Sequence, residues 1–233
     1  LEDGGYFVGY TGKGWGPGDP EALGVKRSPT GKAFQSRRHP AGIRAGLDPR
    51  DYAANFADFL AERPKEKPFF FWLGSTEPHR VYALGAGLGI GKKLSDVKVP
   101  PQWPDVEVIE SDILDYYSEV EWMDQQVAKA LDALEKTGEL ENTVVVITSD
   151  NGMPFPRAKV NLYDAGTHMP LAIRWGKRAP GGRVVDDFVS HTDLASTFLE
   201  AAGLPALPGS TGRSLVPLLT SKRNGTIDPE REY

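Results

Sequence analysis

The chain has 233 residues, 39% hydrophobic and 25% charged, with 27 Lys and Arg against 32 Asp and Glu for a net charge of −5, and no cysteine. At this length folding buries ~70–75% of the surface that the unfolded chain exposes, so a sizeable core forms without a staple. Lack of cysteine excludes disulfides, cysteine zinc sites, iron–sulfur clusters and a thiol nucleophile within these residues. No apolar run approaches the ~20 residues of a membrane span, and no dense basic tract argues for nucleic acid.

In chain order, the first feature is VGYTGKGWGPGD at 8–19, whose glycines allow close backbone approach around Lys13. It could hold an anion, but the GxxxxGK[ST] spacing of a nucleotide phosphate loop is absent. Residues 48–62 read as a helix with Asp48 as N-cap, Pro49 at the first helical position and Tyr52, Phe56, Phe59 and Leu60 on one face; Pro64 stops it. PFFFWLG at 68–74 suits a strand buried on both faces, and the polar STEPHR leaves its end. Residues 84–104, rich in Gly, Lys and Pro, read as a surface loop.

A long helix follows, with Ile113, Tyr117, Val120, Val127, Leu131 and Leu134 as its core stripe and Gly138 beyond its end. Residues 101–150 hold 2 basic and 13 acidic residues, leaving 25 basic and 19 acidic elsewhere. The acidic helix reads as a solvated face, and the basic remainder can attract an anionic substrate. TVVVIT at 143–148 suits a central parallel strand running into Asp150-Asn151-Gly152. PLAIRW at 170–175 and RVVDDFV at 183–189 read as strands, and Leu194–Ala202 as a helix closed by Gly203, with His191 in a structural place at its start. The tail has one apolar cluster, Leu215–Leu219, and an Asn224-Gly225-Thr226 sequon that matters only in a eukaryotic secretory host. Alternating strands and helices predict an α/β layer structure without internal repeats.

Ligands of α/β sheets sit outside the carboxyl ends of strands, where Asp150 and Asn151 stand after TVVVIT. Their side-chain oxygens are hard donors suited to Ca²⁺ or Mg²⁺, although Asp-Asn-Gly also reads as a simple turn. Lys159 is either a surface lysine or a point charge for an anion held by such a metal. His79 is a candidate acid for a leaving group, or a supporting histidine, and Arg80 either a fork for an oxyanion or half of a surface ion pair.

TGKGWGPG, PFFFWLGSTEPHR, the stretch from YYSEVEWMDQQ to TVVVITSDNG, PFPRAKVNLYDAGTHMPLAIRW and VSHTDLASTFLEAAGLP occur in the order and spacing of one family. Over residues 5 to 220 the chain resembles the sulfatases of the alkaline phosphatase superfamily, with EPHR and NGMPFP…NLY resembling the sulfamidase (heparan N-sulfatase) branch. The resemblance implies an alkaline-phosphatase-like sandwich with a central mixed, mostly parallel sheet flanked by helices. It assigns 1–203 to the central part of the catalytic domain and 204–233 to a linker and the start of a C-terminal subdomain. The implied activity is removal of sulfate from a sulfated sugar such as N-sulfoglucosamine; alternatives are a phosphate or phosphonate ester hydrolase of the same superfamily, or a non-catalytic anion- or sugar-binding fragment.

By the same resemblance Asp150 and Asn151 ligate Ca²⁺ in preference to Mg²⁺. Lys13, Lys159, His79, Arg80 and His168 line the sulfate, with His79 protonating the leaving atom and Lys13 polarising the nucleophile. That nucleophile is a formylglycine made in a C/SxPSR motif, which the resemblance places, with two metal-binding aspartates, upstream of Leu1; these 233 residues alone are therefore expected to be inactive. Trp15 stands where the family usually has a histidine, a role open to His39 or His168. The family is typically exported or lysosomal. A sulfated carbohydrate is the expected partner, with no nucleic acid and no membrane span.

Overall fold

A computed structural model describes residues 1–16, 18, 20–22, 24–25, 27–41 and 43–232. Pro17 and Asp19 of the glycine-rich segment and Tyr233 of the tail lie outside them. The chain divides into two compact units, one of Phe7–Thr137 with Ser149–Met169, the other of Leu1–Tyr6, Gly138–Thr148 and Pro170–Tyr233.

The unit containing Phe7 is built on three parallel strands, β1 (Phe7–Gly12), β2 (Lys32–Ala33) and β3 (Phe69–Gly74), in the order β2-β1-β3. Helix α1 (Tyr52–Glu62) covers one face of this sheet. Its buried Phe59 sits 5.0 Å from the Phe7 ring and 4.6 Å from Phe71, with Phe34 edge-on at 5.4 Å. Such aromatic pairs add to the large apolar area each ring removes from water. β3 is not buried on both faces as expected: Phe69 and Phe71 meet α1, whereas Trp72, on the opposite face, is 48% exposed.

Helix α1 also starts later than predicted. Asp51, in extended conformation, accepts the Ala54 amide at 2.9 Å and is the N-cap. Asp48 is diverted: it accepts the Arg50 amide and guanidinium and the Thr76 hydroxyl. The expected loop at 84–104 carries α2 (Ala86–Gly89) and a 3₁₀ turn (Leu94–Asp96), and its Val97, Val99 and Trp103 pack against Tyr82, Ile113 and Phe155.

Helix α3 spans Glu107–Lys136. Ile113 and Leu134 are buried as predicted, but Tyr117 and Val120 are more than a third exposed. Asp115, Ser118, Glu119 and Gln126 are buried instead. Three of them meet groups distant in sequence: Asp115 accepts the Gly85 and Gly87 amides at the start of α2, Gln126 the Ala53 amide in the first turn of α1, and the Ser118 carbonyl the Arg44 guanidinium. A short helix α4 (Asp164–Thr167) completes this unit.

In the other unit β4 (Val145–Thr148) pairs antiparallel with β5 (Leu171–Arg174), so TVVVIT forms a shorter strand than expected, and its pairing among the described residues is antiparallel. RVVDDFV does not form a strand. Its Asp187 carboxylate takes the Ile227 and Asp228 amides, leaving a single bridge between Val185 and Gly225. Helix α5 (His191–Ala201) begins three residues before the predicted start because Ser190 and Asp193 form a capping box, with His191 as its first residue. Leu215 and Leu218 are buried around α6 (Val216–Thr220). The tail is fastened by a buried Arg231–Asp193 pair at 3.0 Å. No helix among the described residues is long and apolar enough to cross a membrane.

Candidate active site

Lys13 and His79 follow the carboxyl ends of adjacent parallel strands, β1 and β3. The Lys13 amide donates to the Gly74 carbonyl at 2.6 Å, and the Trp72 indole donates to the Lys13 carbonyl at 2.9 Å. Only glycine fits at 74, since a Cβ there would lie 2.0 Å from the Lys13 oxygen. Gln35 bonds both the amide and carbonyl of Gly12. The backbone of Lys13 is thus fixed while its side chain is exposed.

Past β3, the turn carrying His79 hangs on Glu77, which sequence reading missed. Glu77 is buried and accepts from the Asp48 amide at 2.6 Å, the Ser75 hydroxyl at 2.8 Å and the Tyr52 hydroxyl at 2.9 Å. The Tyr52 oxygen in turn accepts the Thr76 amide. Burial raises the Tyr52 hydroxyl well above its ordinary pKa, so it remains a donor. The one signal available was an acidic residue in the first polar run after an apolar strand.

His79 is exposed, with its Nδ1 against the Arg80 carbonyl. A carbonyl only accepts, so Nδ1 carries the proton in the neutral ring, and Nε2 is the nitrogen left to take up and release one. Arg80 is engaged by several groups although its side chain is 39% exposed. It forms a bidentate pair with Asp112 at 2.9 and 2.6 Å, donates to the Pro154 carbonyl at 3.3 Å, and lies over the Tyr82 and Phe155 rings. The Asp112 contact raises its pKa further.

The Arg80 contacts with Pro154 and Phe155 bring residues 149–169 to the His79 turn; Met153 and Phe155 pack against Tyr82 and Ile113, and the Trp103 indole donates to the Pro156 carbonyl. Gly152 is buried where a Cβ would lie 2.0 Å from the Ala165 carbonyl. Asp150 is exposed; among the described residues its carboxylate has no hydrogen-bond partner. The Asn151 amide nitrogen donates to the Gly152 carbonyl, leaving its Oδ1 as a donor atom for a cation. Lys159 is half-buried, with its backbone pinned to Met153 beside fully buried Ala158. His168 has a side chain 80% exposed, 3.4 Å from Asp164. Its alternative, His39, packs edge-on to Trp122 and lies 3.6 Å from Asp51, between α1 and α3.

Asp150 and Asn151 supply two hard oxygens, the donor chemistry Ca²⁺ takes, out of the roughly six to eight it needs. Among the described residues no group of three or more His, Asp or Glu forms a metal cluster. The residues present therefore fit part of such a site.

The sequence model of the Sulfatase family matches residues 7–204. The chain belongs to the sulfatase family. Human N-sulphoglucosamine sulphohydrolase is 33% identical to it over 194 residues, covering 67% of this chain and 38% of that enzyme, in agreement with the sulfamidase-like EPHR and NGMPFP segments. This sulfatase chain thus spans well under half the length of that relative. A protein solved in complex with its substrate D-glucosamine-2-N,6-O-disulfate superposes with a TM-score of 0.69 at 21% identity, covering 98% of this chain and 64% of that one. Phosphonate monoester hydrolase of Agrobacterium radiobacter superposes with a TM-score of 0.65 at 19% identity, covering 97% and 62%. These likenesses show the alkaline-phosphatase-like α/β fold expected from the sequence.

Proposed function

We propose that the chain supplies one side of the active site of a sulfatase that removes sulfate from a sulfated sugar, with N-sulfoglucosamine as its substrate class. The observation that carries this reading is the placement of Lys13 and His79 at the ends of adjacent parallel strands, Lys13 held by Gly74 and His79 with Nε2 open. The similarity to N-sulphoglucosamine sulphohydrolase supports the substrate class.

Lys13 and Lys159 would bind sulfate oxygens as compact cations. His79 Nε2, protonated, would deliver its proton to the leaving nitrogen or oxygen as the bond to sulfur breaks. Arg80 would act from behind, holding the His79 turn to α3 and to residues 154–155. Asp150 and Asn151 would hold Ca²⁺, which when bound offsets negative charge on the sulfate oxygens. The nucleophile implied by the family resemblance is a formylglycine outside these residues. Export, also implied by that resemblance, belongs to the same reading.

A second reading is a phosphonate or phosphate ester hydrolase, favoured by the likeness to phosphonate monoester hydrolase. The test is sulfate release from N-sulfoglucosamine by the full-length protein. The reading expects turnover that falls on His79→Ala, and is wrong if the sulfamate is untouched or if His79→Ala is as active as wild type.

A further inference from the structure

The buried polar face of α3 contains a carboxyl group that the proposed chemistry does not use. Glu119 is 2% exposed, and among the described residues its Oε2 has no hydrogen-bond partner. Its Oε1 lies close to Gly46, where an added Cβ would sit 3.2 Å from that oxygen, 3.0 Å from the Ala83 amide and 3.4 Å from the Val81 carbonyl. Gly46 thus lies beside both this carboxyl and residues 81–83, just past His79, and it belongs to the 44–48 strap whose Asp48 amide holds Glu77.

The charged groups acting on Glu119 are few. Glu77 acts from the His79 turn, Asp115 from one turn earlier on α3, and Arg44 from the strap. Tyr82, in the segment after His79, feels the Glu119 charge in return. Glu77 accepts from three donors and Asp115 from two amides. Arg44, the one cation, is turned to the Ser118 carbonyl. An ionised Glu119 would thus be a buried charge with an unbonded oxygen, raised in energy by the Glu77 and Asp115 charges. A protonated one is neutral and can donate.

We propose that Glu119 is a proton-holding positioning residue. Protonated, it lets the Glu77-centred turn that carries His79 close down on α3; ionised, it repels Glu77 and loosens that turn. Burial first, then the Glu77 charge, raise the Glu119 pKa to about 7 against the weaker opposing pull of Arg44, so the change falls near neutrality. A carboxyl raised on folding contributes stability that is fully present below its unfolded value and is lost as pH rises through about 7. The inference concerns the turn itself and stands whether or not His79 is a catalytic acid.

The experiment uses the full chain without any substrate. Carboxyl ¹³C shifts of glutamates are followed between about pH 4 and 9, together with amide exchange of residues 75–83 corrected for intrinsic rates. One glutamate is expected to titrate near 7, and exchange of the turn to accelerate ~tenfold or more as pH rises toward that value and to level off above it. In Glu119→Gln both the titration and the acceleration should vanish, and in Glu77→Gln the titration should move to lower pH. The proposal is overturned if every glutamate titrates in the ordinary carboxylate range, if exchange of the turn ignores pH, or if Glu119→Gln keeps the wild-type dependence. Should either variant fail to fold, the two wild-type measurements decide alone.

Discussion

Lys159 and Arg80 lie seventy-nine residues apart in sequence yet belong to one locus, because Arg80 reaches Pro154 and Phe155 and those residues lead into Lys159. Their tasks differ. Lys159 is half-buried and carries an ammonium suited to an oxyanion, so Lys159→Ala in the full-length protein should lower kcat/KM by ~10²–10³ while the thermal midpoint barely moves. Arg80 is spent on its bidentate pair, a carbonyl and two rings. Arg80→Ala should cost about 1–3 kcal/mol in denaturant unfolding, and Arg80→Lys should recover only part, because an ammonium cannot make the forked contact with Asp112. Equal stability of Arg80→Ala and wild type would remove the clamp from this account. At this scale the positions of Lys13, His79, Asp150 and Asn151 past strand ends were legible, because glycines and apolar runs mark those ends. Glu77 was not, since a carboxylate satisfied by a distant amide and two hydroxyls leaves no local pattern.

Helix α1 and helix α3 show how elements are read well and faces less well. The period of Tyr52, Phe56 and Phe59 gave α1 and its aromatic face correctly, while its start was misplaced because Asp48 and Asp51 both suit an N-cap and only tertiary contacts choose between them. Asp51→Ala should therefore cost about 1 kcal/mol through the lost Ala54 bond. Phe59→Ala, which empties the centre of five rings, should cost about 3–5 kcal/mol, both read from chemical unfolding. A Phe59 variant within 1 kcal/mol of wild type would place the core elsewhere. That α3 is one long helix was legible, but its buried side was not: hydropathy cannot reveal that Asp115 and Gln126 go inward to meet backbone amides distant in sequence, at the start of α2 and in the first turn of α1. The failed strand at 183–189 has the same origin, an inward Asp187 that binds the tail.

Across the whole molecule, carboxyl groups pull stability in opposite directions with pH. Burial alone would raise Asp48 and Asp187, but Arg50 and Thr76 around the first, and the Ile227 and Asp228 amides at the second, leave both below the ordinary carboxylate range. Their contribution is present above that range and is lost as pH falls through their depressed values. Glu119 acts with the opposite sign, losing its contribution as pH rises toward about 7. The thermal midpoint should therefore fall on both sides of a weakly acidic maximum, and Glu119→Gln should flatten the neutral side alone. A midpoint that climbs steadily from about pH 5 to 8 would contradict this.

The family, the α/β fold and the strand-end positions together make sulfate-ester or sulfamate hydrolysis the central claim. Its most direct test is kcat/KM of the full-length protein, with Ca²⁺, on matched sulfate and phosphonate monoesters and on N-sulfoglucosamine. Sulfatase chemistry at this site requires that the sulfated substrates be preferred and that Lys159→Ala lose that turnover; hydrolysis of the phosphonate alone would rule it out.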